Sequence, residues 1–78
     1  MYIKPDVAYK VTKGNTEGSI KVDDIVYLDK EDGSIVVPRW GKKFNKEELT
    51  DSVTDFEGEI DPAWKIIRTS DNVLVKRE

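Results

Sequence analysis

Val7, Tyr9 and Val11 alternate with Ala8, Lys10 and Thr12, the period-two pattern of a strand that buries one face. Gly14-Asn15 through Gly18 then read as a turn. Between Ser19 and Leu28, the residues Ile20, Val22, Ile25, Val26, Tyr27 and Leu28 favour strand, and Asp23-Asp24 predicts a bend or bulge between two short strands. Asp32-Gly33 separates Ile25–Leu28 from Ile35–Val37. Both residue types tolerate positive φ, so the pair predicts a hairpin. Pro38 has no amide hydrogen for a ladder, so the strand from Ser34 ends beside it or lies on an edge.

After Gly41 the pattern changes. Asn45 followed by Glu48 has the form of an N-terminal cap with a reciprocal glutamate, predicting about two helical turns over Lys46–Ser52. Phe56, Ile60, Trp64, Ile66 and Ile67 are separated by acids and by Asp61-Pro62, which predicts a loop or short strand and then a longer strand over Trp64–Thr69. Ser70-Asp71-Asn72 reads as a turn, and Val73, Leu74 and Val75 close a C-terminal hairpin. Gly18-Ser19-Ile20-Lys21-Val22 echoes Gly33-Ser34-Ile35-Val36-Val37, as two turn exits into strands do. The expected fold is mainly β: a small curved antiparallel sheet, or an SH3-like partly open barrel, of about five to six short strands with one short helix. A helix-plus-sheet roll ranks second.

Composition narrows the function classes. The chain of 78 residues forms one domain over 1–78, and a core of this size supplies only about 3–5 kcal/mol. There is no cysteine for a disulfide, a zinc site or a thiol nucleophile. Nor is there histidine, the side chain whose ordinary pKa lies nearest neutrality. The longest apolar runs are short, such as Ile35-Val36-Val37, so no membrane crossing is expected. Met1 to Lys10 holds no apolar run suited to a signal peptide, and the expected location is the cytoplasm.

Charge is unevenly distributed. The segment Glu47 to Asp61 carries Glu47, Glu48, Asp51, Asp55, Glu57, Glu59 and Asp61 without a lysine or arginine. It therefore holds −7 of a net −3 chain and leaves +4 to the rest. With Leu49, Val53, Phe56 and Ile60 between the acids, the strip suits docking onto a protein partner with a basic surface, Phe56 included as an anchor. Just before it, Arg39, Trp40, Lys42, Lys43, Phe44 and Lys46 mix cations and aromatics in the manner of a nucleic-acid-binding segment, which the overall negative charge ranks second. Any binding is expected at the boundary between Arg39 and Asp61.

Catalysis and cofactors are not expected. Asp32-Gly33-Ser34-Ile35 matches the fifth to eighth positions of a calcium loop, but Leu28, Lys30 and Arg39 fall where oxygen ligands are required. The pairs Glu47/Glu48 and Glu57/Glu59 have no recognisable group beside them to activate.

Val22-Asp23-Asp24-Ile25-Val26-Tyr27-Leu28, the Asp32-Gly33 turn, Trp40 and Asp55-Phe56-Glu57 together resemble small orphan accessory proteins encoded by phages and prophages of Gram-positive bacteria. The resemblance implies a host-directed role in the host cytoplasm: an inhibitor or anti-defence factor that occupies a functional surface of a host enzyme, including defence nucleases. It transfers no functional residue. A structural or assembly protein of a virion is the third class, and the oligomeric state is left open.

Overall fold

Tyr9 and Val11 are buried, and Lys10 and Thr12 exposed, along β1 (Tyr9–Lys13), as the alternation predicts. The computed structural model that carries this strand describes residues 2–68 and 73–76. β-branched and aromatic residues build β2 (Ile25–Asp29) and β3 (Ser34–Val37), followed by β4 (Lys42–Phe44) and β5 (Glu57–Ile60). Among the described residues these five strands form one antiparallel sheet in the order β4-β3-β2-β1-β5. β1 to β4 run as a meander, and β5 returns to the free side of β1. No pairing joins β4 to β5, so the antiparallel sheet is open and does not close into a barrel. β6 (Trp64–Arg68) and β7 (Val73–Lys76) pair antiparallel as the expected C-terminal strands. Their turn, Ser70-Asp71-Asn72, lies outside the described residues.

Two local expectations change in geometry. Asp29 faces Ser34 across the β2–β3 ladder, so residues 30–33 form the loop, and the Gly33 amide donates to the Asp29 carbonyl at 2.8 Å. Within that loop only Gly33 has positive φ, at 76°. Asp32 acts through its side chain instead, accepting the Ser34 amide at 2.9 Å. Upstream, Ser19 to Val22 forms no strand, so the echo of Ser34–Val37 is not a structural repeat. The reason lies in Asn15. Its amide donates to the Ile20 carbonyl, and its side-chain oxygen accepts the Ile20 amide, which leaves neither group for a ladder. Asp23 then turns the chain with φ 75°, and β2 begins.

The capping box forms as the sequence indicates. Asn45 Oδ1 accepts the Glu47 and Glu48 amides at 3.1 Å, and Glu48 accepts the Asn45 amide at 3.2 Å. The helix splits, however, into a 3-10 turn over Lys46–Glu48 and α1 (Asp51–Thr54). Leu49 at ψ 66° and Thr50 at ψ 169° leave the helical region between them, and Leu49 packs against the core.

That core lies under the sheet, where Val11, Ile20, Val26, Val37, Val53 and Phe56 are fully enclosed. Each such side chain stabilises the fold by about 1.5–3 kcal/mol. Two residues assigned to binding surfaces belong here. Phe56 is 0% exposed and Phe44 is 2% exposed, so both rings are covered in the folded chain. Gly58 explains how β5 reaches β1. A Cβ there would lie 2.7 Å from the Lys10 carbonyl oxygen, beside the irregularity between Val11 and Lys13.

Candidate functional site

Arg39 and Trp40 leave β3 on a 3-10 turn that starts at Pro38 and is closed by Gly41 at φ 68°. Arg39 Nη1 donates to Asp24 Oδ1 at 2.9 Å, while Asp24 Oδ2 accepts the Lys21 amide at 2.9 Å. Asp24 is only 3% exposed, and a carboxylate taken out of water needs both partners. Lys43 Nζ lies 3.0 Å from both Asp29 Oδ2 and Asp32 Oδ2. Asp32 and then Asp29 raise the Lys43 pKa. Lys42 pairs with Glu48 at 3.4 Å. Three cations of the basic segment are therefore already committed to this protein's own carboxylates. Lys46 is exposed and makes no ion pair among the described residues, and Trp40 is 52% exposed.

The acidic strip is distributed over three elements. Glu47 and Glu48 stand on the 3-10 turn, Asp51 opens α1, and Glu57 and Glu59 lie exposed on β5. Several of these acids are engaged. Asp55 accepts the Thr16 amide at 2.8 Å and the Thr16 hydroxyl on its other oxygen, so it fastens the loop after β1. Asp61 accepts the Ala63 amide at 3.0 Å, and Glu57 lies 3.9 Å from Lys13. Glu59 stands opposite Lys10 in the β1–β5 register. Glu47, Asp51 and Glu59 have no ion pair among the described residues. Of the apolar residues between the acids, Leu49, Val53 and Phe56 turn inward and only Ile60, at 55%, is exposed.

These carboxylates give the fold an acid sensitivity. Ser34, through its side chain and amide, and the Lys43 ammonium lower the Asp32 carboxyl to about 2. The Asn45 amide and Lys42 lower Glu48, and the Thr16 hydroxyl and amide lower Asp55. A carboxyl depressed in the folded state leaves the unfolded chain binding more protons in the window between the two values. Stability is then complete above about pH 5 and is lost progressively as the pH falls toward about 2. Thermal melts across that range should show a falling midpoint, and Asp32→Asn should flatten its lower end. An unchanged slope in the variant would remove Asp32 from the account.

Trp40 stands between two clefts. One, of about 420 Å³, is lined by Glu17, Trp40, Lys42, Phe44, Glu48 and Val53. The other, of about 320 Å³, is lined by Gly18, Ser19, Lys21, Asp24, Arg39 and Trp40. Both lie at the charge boundary singled out from the sequence. Glu17 and Lys21 are additions that no local pattern marks, and Asp24 is marked in the sequence only as part of a bend. Glu17 reaches the boundary because its amide donates to the Ser52 carbonyl at 3.1 Å, which holds the loop against α1. The arrangement brings an exposed indole, carboxylates and a guanidinium to the two clefts. Among the described residues, no group of three or more potential ligands could hold a metal ion, and no helix is long and apolar enough to cross a membrane. No family model, curated protein or solved structure matches the chain.

Proposed function

We propose that the protein is a non-catalytic interaction module that docks its acidic surface onto a basic partner. In this reading it is a phage-type inhibitor or anti-defence factor directed at a nucleic-acid-handling protein in the host cytoplasm. The observation that carries the reading is the unequal use of charge. Arg39 and Lys43 are held by the buried Asp24 and Asp29, Lys42 is held more loosely by Glu48 and only Lys46 of that segment lacks an ion pair among the described residues, whereas Glu47, Asp51 and Glu59 are all exposed without one. Uncompensated carboxylates on a net −3 protein steer a basic surface inward, and Trp40 and Ile60 supply apolar contact after encounter.

The second reading, nucleic-acid binding, keeps one supporting observation: Lys21 shares the cleft of about 320 Å³ with Arg39 and Trp40. It no longer has Phe44 for stacking. The test immobilises the wild-type chain and the triple variant Glu47→Gln, Asp51→Asn, Glu59→Gln, whose exposed substitutions should each change stability by no more than about 0.5 kcal/mol. A basic protein retained at low salt, released by salt and bound at least about tenfold more weakly by the variant is the expected result. Equal retention by both would defeat it. Oligonucleotide binding with a steep salt slope would favour the second reading, and stable self-association would favour virion assembly.

A further inference from the structure

We propose that the cleft between Trp40 and Glu48 receives an arginine or lysine side chain of the partner, in the place that Lys42 occupies in the free protein. The inference rests on the reading of a basic partner and names where one of its cations seats.

The cleft of about 420 Å³ is lined by the half-exposed Trp40, by the acids Glu17 and Glu48, and by the buried Phe44 and Val53. An aromatic face next to a carboxylate is the pairing that a guanidinium or ammonium takes, through attraction to the ring and charge-assisted hydrogen bonds. The protein already uses it internally. Lys42 Nζ lies 5.0 Å from the Phe44 ring centroid and 3.4 Å from Glu48 Oε2. This internal cation is held weakly, since both side chains of the pair are substantially exposed, at 34% and 43%. Trp40 adds a planar surface, 52% exposed, on which a planar guanidinium stacks better than an ammonium. A partner arginine can therefore take the Glu48 carboxylate and cover the indole, releasing Lys42 to water.

The test titrates the ¹⁵N-labelled full chain with a blocked Gly-Arg-Gly-Arg-Gly peptide, and with the same peptide carrying citrulline, its neutral isostere. The chain has two tryptophans, so Trp40→Phe assigns the two indole N–H resonances. The arginine peptide should move the Trp40 indole and the Lys42 and Glu48 amides in a saturable way, and the citrulline peptide should not. Glu48→Gln, which can keep the capping box, should weaken binding about fivefold or more. Lys42→Met should tighten it by up to about fivefold, because the competing cation is gone, while Lys46→Met should change it little. Circular dichroism confirms that each variant is folded. The proposal is overturned by peptide binding that leaves the Trp40 resonance in place, by Lys42→Met failing to tighten binding, or by an oligonucleotide moving Trp40 where the arginine peptide does not. Its failure is distinct from failure of the module reading. A silent cleft with partner capture still dependent on Glu47, Asp51 and Glu59 sinks this inference alone, and an active cleft with capture independent of those acids sinks the other.

Discussion

Replacing Phe56 with alanine is expected to remove about 4 kcal/mol of stability and leave the chain largely unfolded at room temperature. Phe56 is fully enclosed, in the same core as Val53 of α1 and Val11 of β1. It is the residue at which α1 gives way to β5, so its loss opens a cavity where the helix and the edge strand meet. A core of this size supplies only about 3–5 kcal/mol, so the loss is most of what is present. Urea denaturation followed by circular dichroism checks it. Phe56→Leu, which conserves most of the volume, should cost less than about 1.5 kcal/mol. If Phe56 served as a surface anchor, alanine would leave the denaturation midpoint in place and abolish partner binding alone.

The second large effect is expected at Asn15. Its side chain is 7% exposed and makes four hydrogen bonds: Oδ1 accepts the Gly18 amide at 2.9 Å and the Ile20 amide at 3.1 Å, while Nδ2 donates to Ser19 Oγ at 2.9 Å and to the Val53 carbonyl at 3.1 Å. Alanine orphans buried backbone groups on both the loop after β1 and α1. A loss of about 3 kcal/mol follows, since each unsatisfied buried group costs about 1–3 kcal/mol. For a domain of this size that lowers the melting midpoint by on the order of 15 °C. Asn15→Asp separates the two halves of the network: it keeps the acceptor for Gly18 and Ile20 but turns an oxygen toward the Val53 carbonyl. A melting midpoint within a few degrees of wild type for alanine would show that water replaces the network.

Asn15 also bears on the proposed binding cleft. Glu17 is carried by the Asn15–Ile20 loop, and Glu48 and Val53 flank the α1 side of the cleft. A loosened loop after Asn15→Ala therefore separates Glu17 from Trp40 and weakens arginine-peptide binding even in the fraction that remains folded. Surface substitutions at Glu47 or Asp51 do not have that consequence.

The parts of the fold legible in the sequence depend on neighbours close along the chain. The Asn45–Glu48 box spans three residues and acts through the cap backbone, so its residue types suffice. Pro38 ends β3 because it lacks a donor, and the Tyr9/Val11 alternation marks a half-buried strand because successive side chains point to opposite faces. The Asp32-Gly33 turn was legible in position but not in type. Loop length depends on the strand register, which places Asp29 opposite Ser34.

The division of charge was not legible in the same way. Arg39 and Asp24 are 15 residues apart, Lys43 and Asp29 are 14 apart, and Thr16 and Asp55 are 39 apart. A run of cations or acids reads the same whether its members face solvent or one another, because a Coulomb interaction depends on separation in space and on burial. Phe56 was read as exposed for a related reason: seven acids in its segment imply a solvated surface, yet an edge strand can turn its carboxylates outward while the residue before it enters the core. Composition, periodicity and turn chemistry therefore settle that this chain forms a small β-rich domain with one capped turn. The sheet order β4-β3-β2-β1-β5 and the loops packed on it decide which cations are spent, which acids remain exposed and why Glu17 and Trp40 line one cleft, since only the folded chain brings those groups within reach of one another.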